Sequence, residues 1–346
     1  MRVYTGPMQS SLIDIQGRKI SYLRVSVTDR CDMRCVYCMS ENMEFLPRPE
    51  VLTYEELERL CAVFMQHGVK RIRLTGGEPL VRRDIGGFLL SLGRWIQPDA
   101  TTPGLDELTL TTNGSQLRRY ADTLVKAGVR RVNVSLDSLK PERFSAITRR
   151  GDLRQTLDGV RAARDAGLAV RINTVAMKGI NDDEFDDLIA WCGEIGADLC
   201  LIETMPMGET GEDRRAQYLP LHAIRLSLQK RWTFEAANGA GGAGPARYVR
   251  VAETGQKLGF ITPLSHNFCD SCNRVRLSCS GQLYTCLGSD NAVDLRAILR
   301  SGGSDEDILR AIDLSLARKP FRHDFLIPDN DADVQGPARL MSVTGG

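Results

Sequence analysis

At 346 residues, 42% of them hydrophobic, the chain can bury a large core and is too long for one small domain. Lys and Arg total 45 against 44 Asp and Glu, so no overall field draws it to nucleic acid or an anionic membrane, and any anion site must be local. The opening MRVYTGPMQS has no apolar core, and no later stretch reaches about eighteen uninterrupted apolar residues. Neither a signal peptide nor a membrane span is supported, and the expected location is cytoplasmic.

In chain order, LRVSV reads as a first strand. Thr53 and Glu56 form a capping box, and Leu57, Leu60, Cys61, Phe64 and Met65 at helical spacing predict a helix stopped at Gly68. The strand-like VKRIRL follows at once. The same grammar, a helix closing on Gly and then an apolar run, recurs at AGVRRVNVSL, AGLAVRINTV and IGADLCLIET, and ELTLTT supplies a further strand. About six strands, each followed by a helical pattern, predict an α/β fold: an incomplete parallel (βα)6 barrel with right-handed crossovers. The Gly- and Ala-rich EAANGAGGAGPA, residues 235–246, reads as a loop or linker. It divides a barrel over 1–234 from a carboxyl-terminal extension over 235–346. Beyond it lie the strand-like RYVRV, KLGFIT, RVRLS and QLYTC, then a helical region from Asp294 to Ala317. The tail from Arg322 is polar and irregular and ends in Gly345 and Gly346.

In such a barrel the catalytic groups sit in loops at the carboxyl ends of the strands. Cys31, Cys35 and Cys38 follow LRVSV; Gly76, Gly77, Glu78 and Pro79 follow RIRL; Thr111, Ser135 and Asp137, Lys178 and Met205 mark later strand ends.

Ten cysteines in a cytosolic chain point to metal rather than disulfides, because that compartment keeps thiols reduced. Cys61, Cys192 and Cys200 sit in apolar surroundings and read as small buried hydrophobes. Cys31, Cys35 and Cys38 form C-x3-C-x2-C, in which one loop can wrap an iron-sulfur core with three thiolates and leave one iron open. The second set, FCDSCNRVRLSCSGQLYTC, holds Cys269, Cys272 and Cys286 with Cys279 between them, and two readings compete. Four thiolates would make a closed zinc ribbon. Three, beside Arg274 and Arg276 on one side of a strand, would make a second open cluster facing a phosphate-bearing substrate, which planar guanidiniums pair well.

CDMRCVYC, with GGEP after the next strand, resembles the radical SAM superfamily. That resemblance implies a 4Fe-4S cluster whose open iron chelates S-adenosylmethionine, and cleavage to a 5′-deoxyadenosyl radical. It also implies cofactor contacts from Tyr37, from Gly77 and Glu78, and from Ser135 and Met205. With HNFCDSCNRVRL, a third cysteine thirteen residues on and the terminal Gly-Gly, the likeness narrows to the GTP 3′,8-cyclases, radical lyases of molybdenum cofactor biosynthesis. This implies a second 4Fe-4S cluster on Cys269, Cys272 and Cys286, with guanine on its free iron and Cys279 a bystander. It further implies GTP contacts from Arg24, Arg73, Thr111, Lys178, Arg274 and Arg276, and a Gly345-Gly346 tail inserted in the active site. Arg71 stands where relatives are expected to carry Lys and is not assigned to the site. No side chain is assigned acid or base work, because the adenosyl radical does the chemistry. The implied partners are a low-potential electron donor such as a flavodoxin or ferredoxin and a downstream cyclic pyranopterin monophosphate synthase; a monomer or homodimer is expected. Two alternatives are a radical SAM peptide maturase with an auxiliary cluster and a non-catalytic zinc-stabilised nucleotide-binding protein. No G-x4-G-K-[ST] phosphate loop is present to support ordinary GTPase binding.

Overall fold

The computed structural model describes residues 11–97, 103–237, 245–327 and 334–345. Six parallel strands, β1 (Tyr22–Ser26), β2 (Arg71–Thr75), β3 (Glu107–Thr112), β4 (Arg131–Ser135), β5 (Ala169–Ala176) and β6 (Asp198–Glu203), pair in chain order. Between them run α1 (Tyr54–Gln66), α2 (Ile85–Gly93), α3 (Leu117–Lys126), α4 (Pro141–Thr148), α5 (Leu153–Asp165) and α6 (Phe185–Glu194). The expected capping box of α1 forms in both directions: Glu56 N donates to Thr53 Oγ1 at 3.2 Å and Thr53 N to Glu56 Oε2 at 2.7 Å. Leu57, Leu60, Cys61 and Phe64 are then buried along one face.

The extension does not sit apart from this sheet. Its strands are β7 (Phe234–Ala236), β8 (Arg247–Val251), β9 (Lys257–Ile261), β10 (Arg274–Leu277), β11 (Gln282–Tyr284) and β12 (Ala292–Asp294). β9 joins β6 in parallel and β10 joins β1 in parallel, while β8 with β7 and β11 with β12 continue antiparallel at the two edges. One sheet of order β12-β11-β10-β1-β2-β3-β4-β5-β6-β9-β8-β7 results.

Three expectations for the extension need correction. Glu235 and Ala236 belong to β7 rather than a loop; residues 238–244 of that stretch lie outside the described residues. The helical region breaks into Leu295–Arg300 and Asp305–Leu316, because Ser304 and Asp307 start the second helix with a capping box of their own. The tail is not wholly irregular: Leu326 and Gln335 exchange backbone hydrogen bonds and Met341–Thr344 forms a helical turn. Gly346 lies outside the described residues.

Strand alternation divides the sheet into two chemistries. Leu23 and Val25, Ile72 and Leu74, and Val132 and Val134 are buried in the main apolar core. The intervening residues, among them Arg24, Arg73, Asn133 and Arg171, line a cavity inside the barrel.

Candidate active site between two cysteine sets

The cavity measures about 280 Å³, and the second cysteine set, Arg24, Arg73, Arg274, Arg276 and Met205 line it. Arg24 stands opposite Arg276 on one side and Arg73 on the other, so three guanidiniums share one level of the barrel. Burial, then Arg276 and Arg73, push Arg24 well below its ordinary range. Burial, then Arg274 and Arg339, bring Arg276 down to about 9. Arg24 Nε and Nη2 and Arg73 Nε are buried without a hydrogen-bond partner. Crowded cations with idle donors are destabilised until an anion arrives, which suits a polyphosphate.

The first cysteine set lies at the carboxyl end of the parallel strands, in the loop after β1. Cys38 and Cys31 each help raise Cys35, after burial and Asp137, so the three thiols share one neighbourhood. The Gly76-Gly77-Glu78 loop packs against its start: Gly77 N donates to Thr28 O at 2.7 Å and Glu78 N to Arg30 O at 2.8 Å. A Cβ on Gly77 would stand 2.3 Å from the Arg30 carbonyl oxygen, so only glycine fits. Glu78 is fully buried, and its carboxylate accepts from Leu80 N (2.9 Å), Thr112 Oγ1 (2.8 Å) and Asn113 N (2.6 Å). Burial outweighs those donors and pushes it up to about 7. Asn113 reaches on to Cys31 Sγ at 3.8 Å. Tyr37 donates its hydroxyl to Asp137 at 2.7 Å, and Arg214 donates to the Tyr37 carbonyl at 2.9 Å. Ser135 ends β4.

The second set occupies the opposite end. Cys272 precedes β10 and Cys286 follows the antiparallel β11, so both lie at the amino-terminal end of the parallel strands. The carboxyl-end rule thus covers the first set only; Cys269, Cys272 and Cys286 line the cavity, and Cys31, Cys35 and Cys38 do not. Cys269, Cys272 and Cys286 influence one another's ionisation, whereas Cys279 faces Ser26, Asp29 and Arg82. With Cys279 turned away, the fourth thiolate of a closed zinc ribbon is missing, while three thiols remain for a cubane with an open iron. Among the described residues, no three His, Cys, Asp or Glu side chains are arranged to hold a single metal ion.

The tail reaches both ends. Arg339 donates to the carbonyl oxygens of Cys286 and Leu287, and burial raises Cys38 to about 12 against a Ser342 backbone hydrogen bond that lowers it. Arg276 Nη1 donates to Gly345 O at 2.7 Å. Gly345 has φ +70, and a Cβ there would lie 1.9 Å from Thr75 Oγ1.

Other anticipated residues stand apart from the cavity. Lys178 is exposed and outside its lining. Thr111 has a buried hydroxyl without a partner but is not in the lining. Cys61 and Cys192 are core residues, and Cys200, equally buried, also faces the cavity. Arg71, set aside from the sequence, lines it together with Arg131 and Arg171. Their signal is legible in hindsight: RIR, RVN and RIN place polar side chains at every second position of strands that should otherwise be apolar on both faces.

The Radical SAM superfamily matches residues 25–192 and Molybdenum Cofactor Synthesis C matches residues 197–325. The GTP 3′,8-cyclase of Rhizobium etli (strain CIAT 652) is 56% identical over 97% of this chain and 94% of its own. That of Brucella canis is 55% identical over 97% and 96%. Among solved structures, Streptococcus suis SuiB bound to S-adenosylmethionine superposes with a TM-score of 0.58 at 18% identity, over 81% of this chain and 65% of SuiB. SuiB bound to its precursor peptide SuiA gives 0.59 at 16% identity, over 82% and 65%. The SuiB likeness speaks to the fold alone; identity across nearly the whole length speaks to more, and the chain belongs to the GTP 3′,8-cyclase family of radical SAM enzymes.

Proposed function

We propose that this chain converts GTP to (8S)-3′,8-cyclo-7,8-dihydroguanosine 5′-triphosphate, the first step of molybdenum cofactor biosynthesis. Family membership carries the reading, and the arginine-lined cavity beside Cys269, Cys272 and Cys286 supports it. Cys31, Cys35 and Cys38 would hold one 4Fe-4S cluster, with S-adenosylmethionine on its open iron; Cys269, Cys272 and Cys286 would hold the other. When bound, the first cluster and S-adenosylmethionine supply a 5′-deoxyadenosyl radical. The remaining work is positional, and falls to the protein. Arg24, Arg73, Arg274 and Arg276 fix the triphosphate, since all four line the cavity and Arg24 and Arg73 keep buried donors without partners. That fixation presents C3′ for hydrogen removal and keeps C8 of guanine within reach of the resulting carbon radical. The barrel wall and the docked tail exclude water and other hydrogen donors. A low-potential flavodoxin or ferredoxin suits the reduction, and a cyclic pyranopterin monophosphate synthase suits the product. Among the described residues no helix is long and apolar enough to cross a membrane.

The test is anaerobic turnover of reconstituted protein with S-adenosylmethionine and GTP deuterated at C3′. Deuterium in 5′-deoxyadenosine together with the cyclised triphosphate is expected. 5′-Deoxyadenosine formation with no saturable GTP dependence would sink the reading and favour a peptide substrate.

A further inference from the structure

Each cysteine of the second set has a buried cation of its own, and none of the three belongs to the substrate row. Arg18 Nη1 donates to the Cys269 carbonyl at 2.8 Å, Arg339 Nη2 to the Cys286 carbonyl at 3.3 Å, and Lys319 Nζ approaches Cys272 Sγ at 3.8 Å. Arg18 is neutralised by Asp14 at 2.6 Å and Arg339 by Asp290 at 2.6 Å. Lys319 differs. It is 2% exposed, and its other two donors go to the carbonyl oxygens of Arg274, at 3.1 Å, and Thr285. Among the described residues no carboxylate is in ion-pair contact with it.

An ammonium fixed this deep without a carboxylate is expensive unless a permanent negative charge faces it. Three thiolates on a 4Fe-4S core provide one. We infer that Lys319 is the fixed counter-charge of the second cluster, a positioning residue that holds the cluster in its three-cysteine seat and raises its reduction potential. The inference rests on the reading that Cys269, Cys272 and Cys286 hold a cluster. Physically, a cation beside a sulfur ligand favours the state carrying one more electron, and hydrogen bonds to cluster sulfurs act in the same direction. Lys319 reaches Cys272 from the short stretch after the helix Asp305–Leu316, so that helix is tied to the cluster by one side chain.

The experiment uses the full chain with Cys31, Cys35 and Cys38 changed to Ala, so that only the second cluster reports. Iron is counted and the cluster is titrated by electron paramagnetic resonance, in this background and with Lys319→Met or Lys319→Arg added. About four irons in the background are the prerequisite; none would overturn the cluster reading itself, separately from the role of Lys319. With Lys319→Met the expected result is retained iron and a reduction equilibrium displaced about tenfold against the reduced state, ~59 mV for one electron, with Lys319→Arg close to the background value. Iron lost in Lys319→Met but kept in Lys319→Arg supports the same counter-charge role through cluster retention. Full iron with an unmoved potential in Lys319→Met would overturn it. Equal loss of iron in both variants would also overturn it, by showing that packing rather than charge is required.

Discussion

Replacing Gly345 by Ala should disable the tail while leaving the rest of the barrel intact. Two costs add. The residue sits at φ +70 and ψ 135, a region essentially reserved for glycine, where another residue costs roughly 1–3 kcal/mol. The new Cβ would also start 1.9 Å from Thr75 Oγ1 and 2.5 Å from Thr75 Cβ, against a normal contact of about 3.5–4.0 Å. The tail must therefore retreat by more than an ångström, which breaks the Gly345 carbonyl's contact with Arg276. The backbone cost alone weakens docking by about 5- to 150-fold at ~1.4 kcal/mol per decade. Turnover of GTP should fall by at least that range, with amide hydrogen exchange faster over residues 340–345. Ser342→Ala, which removes a buried hydroxyl that has no partner, should change neither measurement. Turnover within about twofold of the parent, with unchanged tail protection in Gly345→Ala, would refute the docking argument.

Gly77→Ala should cost the first cluster its seat, since the added carbon would overlap the Arg30 carbonyl one residue before Cys31; iron should drop by about four per chain, leaving the second set loaded. Arg276→Ala should raise the Kd for GTP by about 10- to 100-fold in calorimetry, the worth of a charge-assisted hydrogen bond. In cluster-free protein Cys272 is raised by burial but pulled down further by Lys319 and Arg274, to about 7. Its thiolate therefore forms as pH rises through about 7 rather than 9, and iodoacetamide labelling read by mass spectrometry should follow that midpoint at Cys272 while Cys61, held up at about 12 by burial, stays unlabelled. Thr53→Ala should cost about 1 kcal/mol in thermal unfolding through loss of the α1 cap, with little effect on iron content.

Much of this molecule was legible before its coordinates. Cap and stop signals around α1 and the repeated helix-Gly-strand grammar locate β2, β4, β5 and β6, while β1 and β3 were read from their apolar runs, because local chemistry decides where such elements begin and end. Both cysteine sets and Arg274 and Arg276 of β10 announce themselves by spacing, whereas Arg24 and Arg73 come only from the family resemblance. What sequence could not supply is direction. Nothing in HNFCDSCNRVRL says that β10 will lie parallel to β1 and so carry its cysteines to the amino-terminal end. Nor does spacing reveal that Cys279 turns toward Ser26 and Asp29. Arg18, Lys319 and Arg339 escaped notice for the same reason: they are brought to the cysteines by packing across 251, 47 and 53 residues, and each stands alone in its local sequence. Lys178, expected from the family resemblance alone, is exposed.

The placement of β9 and β10 bears on how the chain is made. Tyr22 pairs with Arg274 and Leu199 with Leu258, so a ribosome that has released only the first two hundred residues has produced a sheet with both flanks bare. Exposed parallel edges are templates for pairing with another chain, and contacts spanning some 250 residues close slowly. The nascent barrel has a prolonged vulnerable interval, ended when one late segment covers both flanks. Expression truncated before Leu277 should accordingly give inclusion bodies rather than a separable barrel.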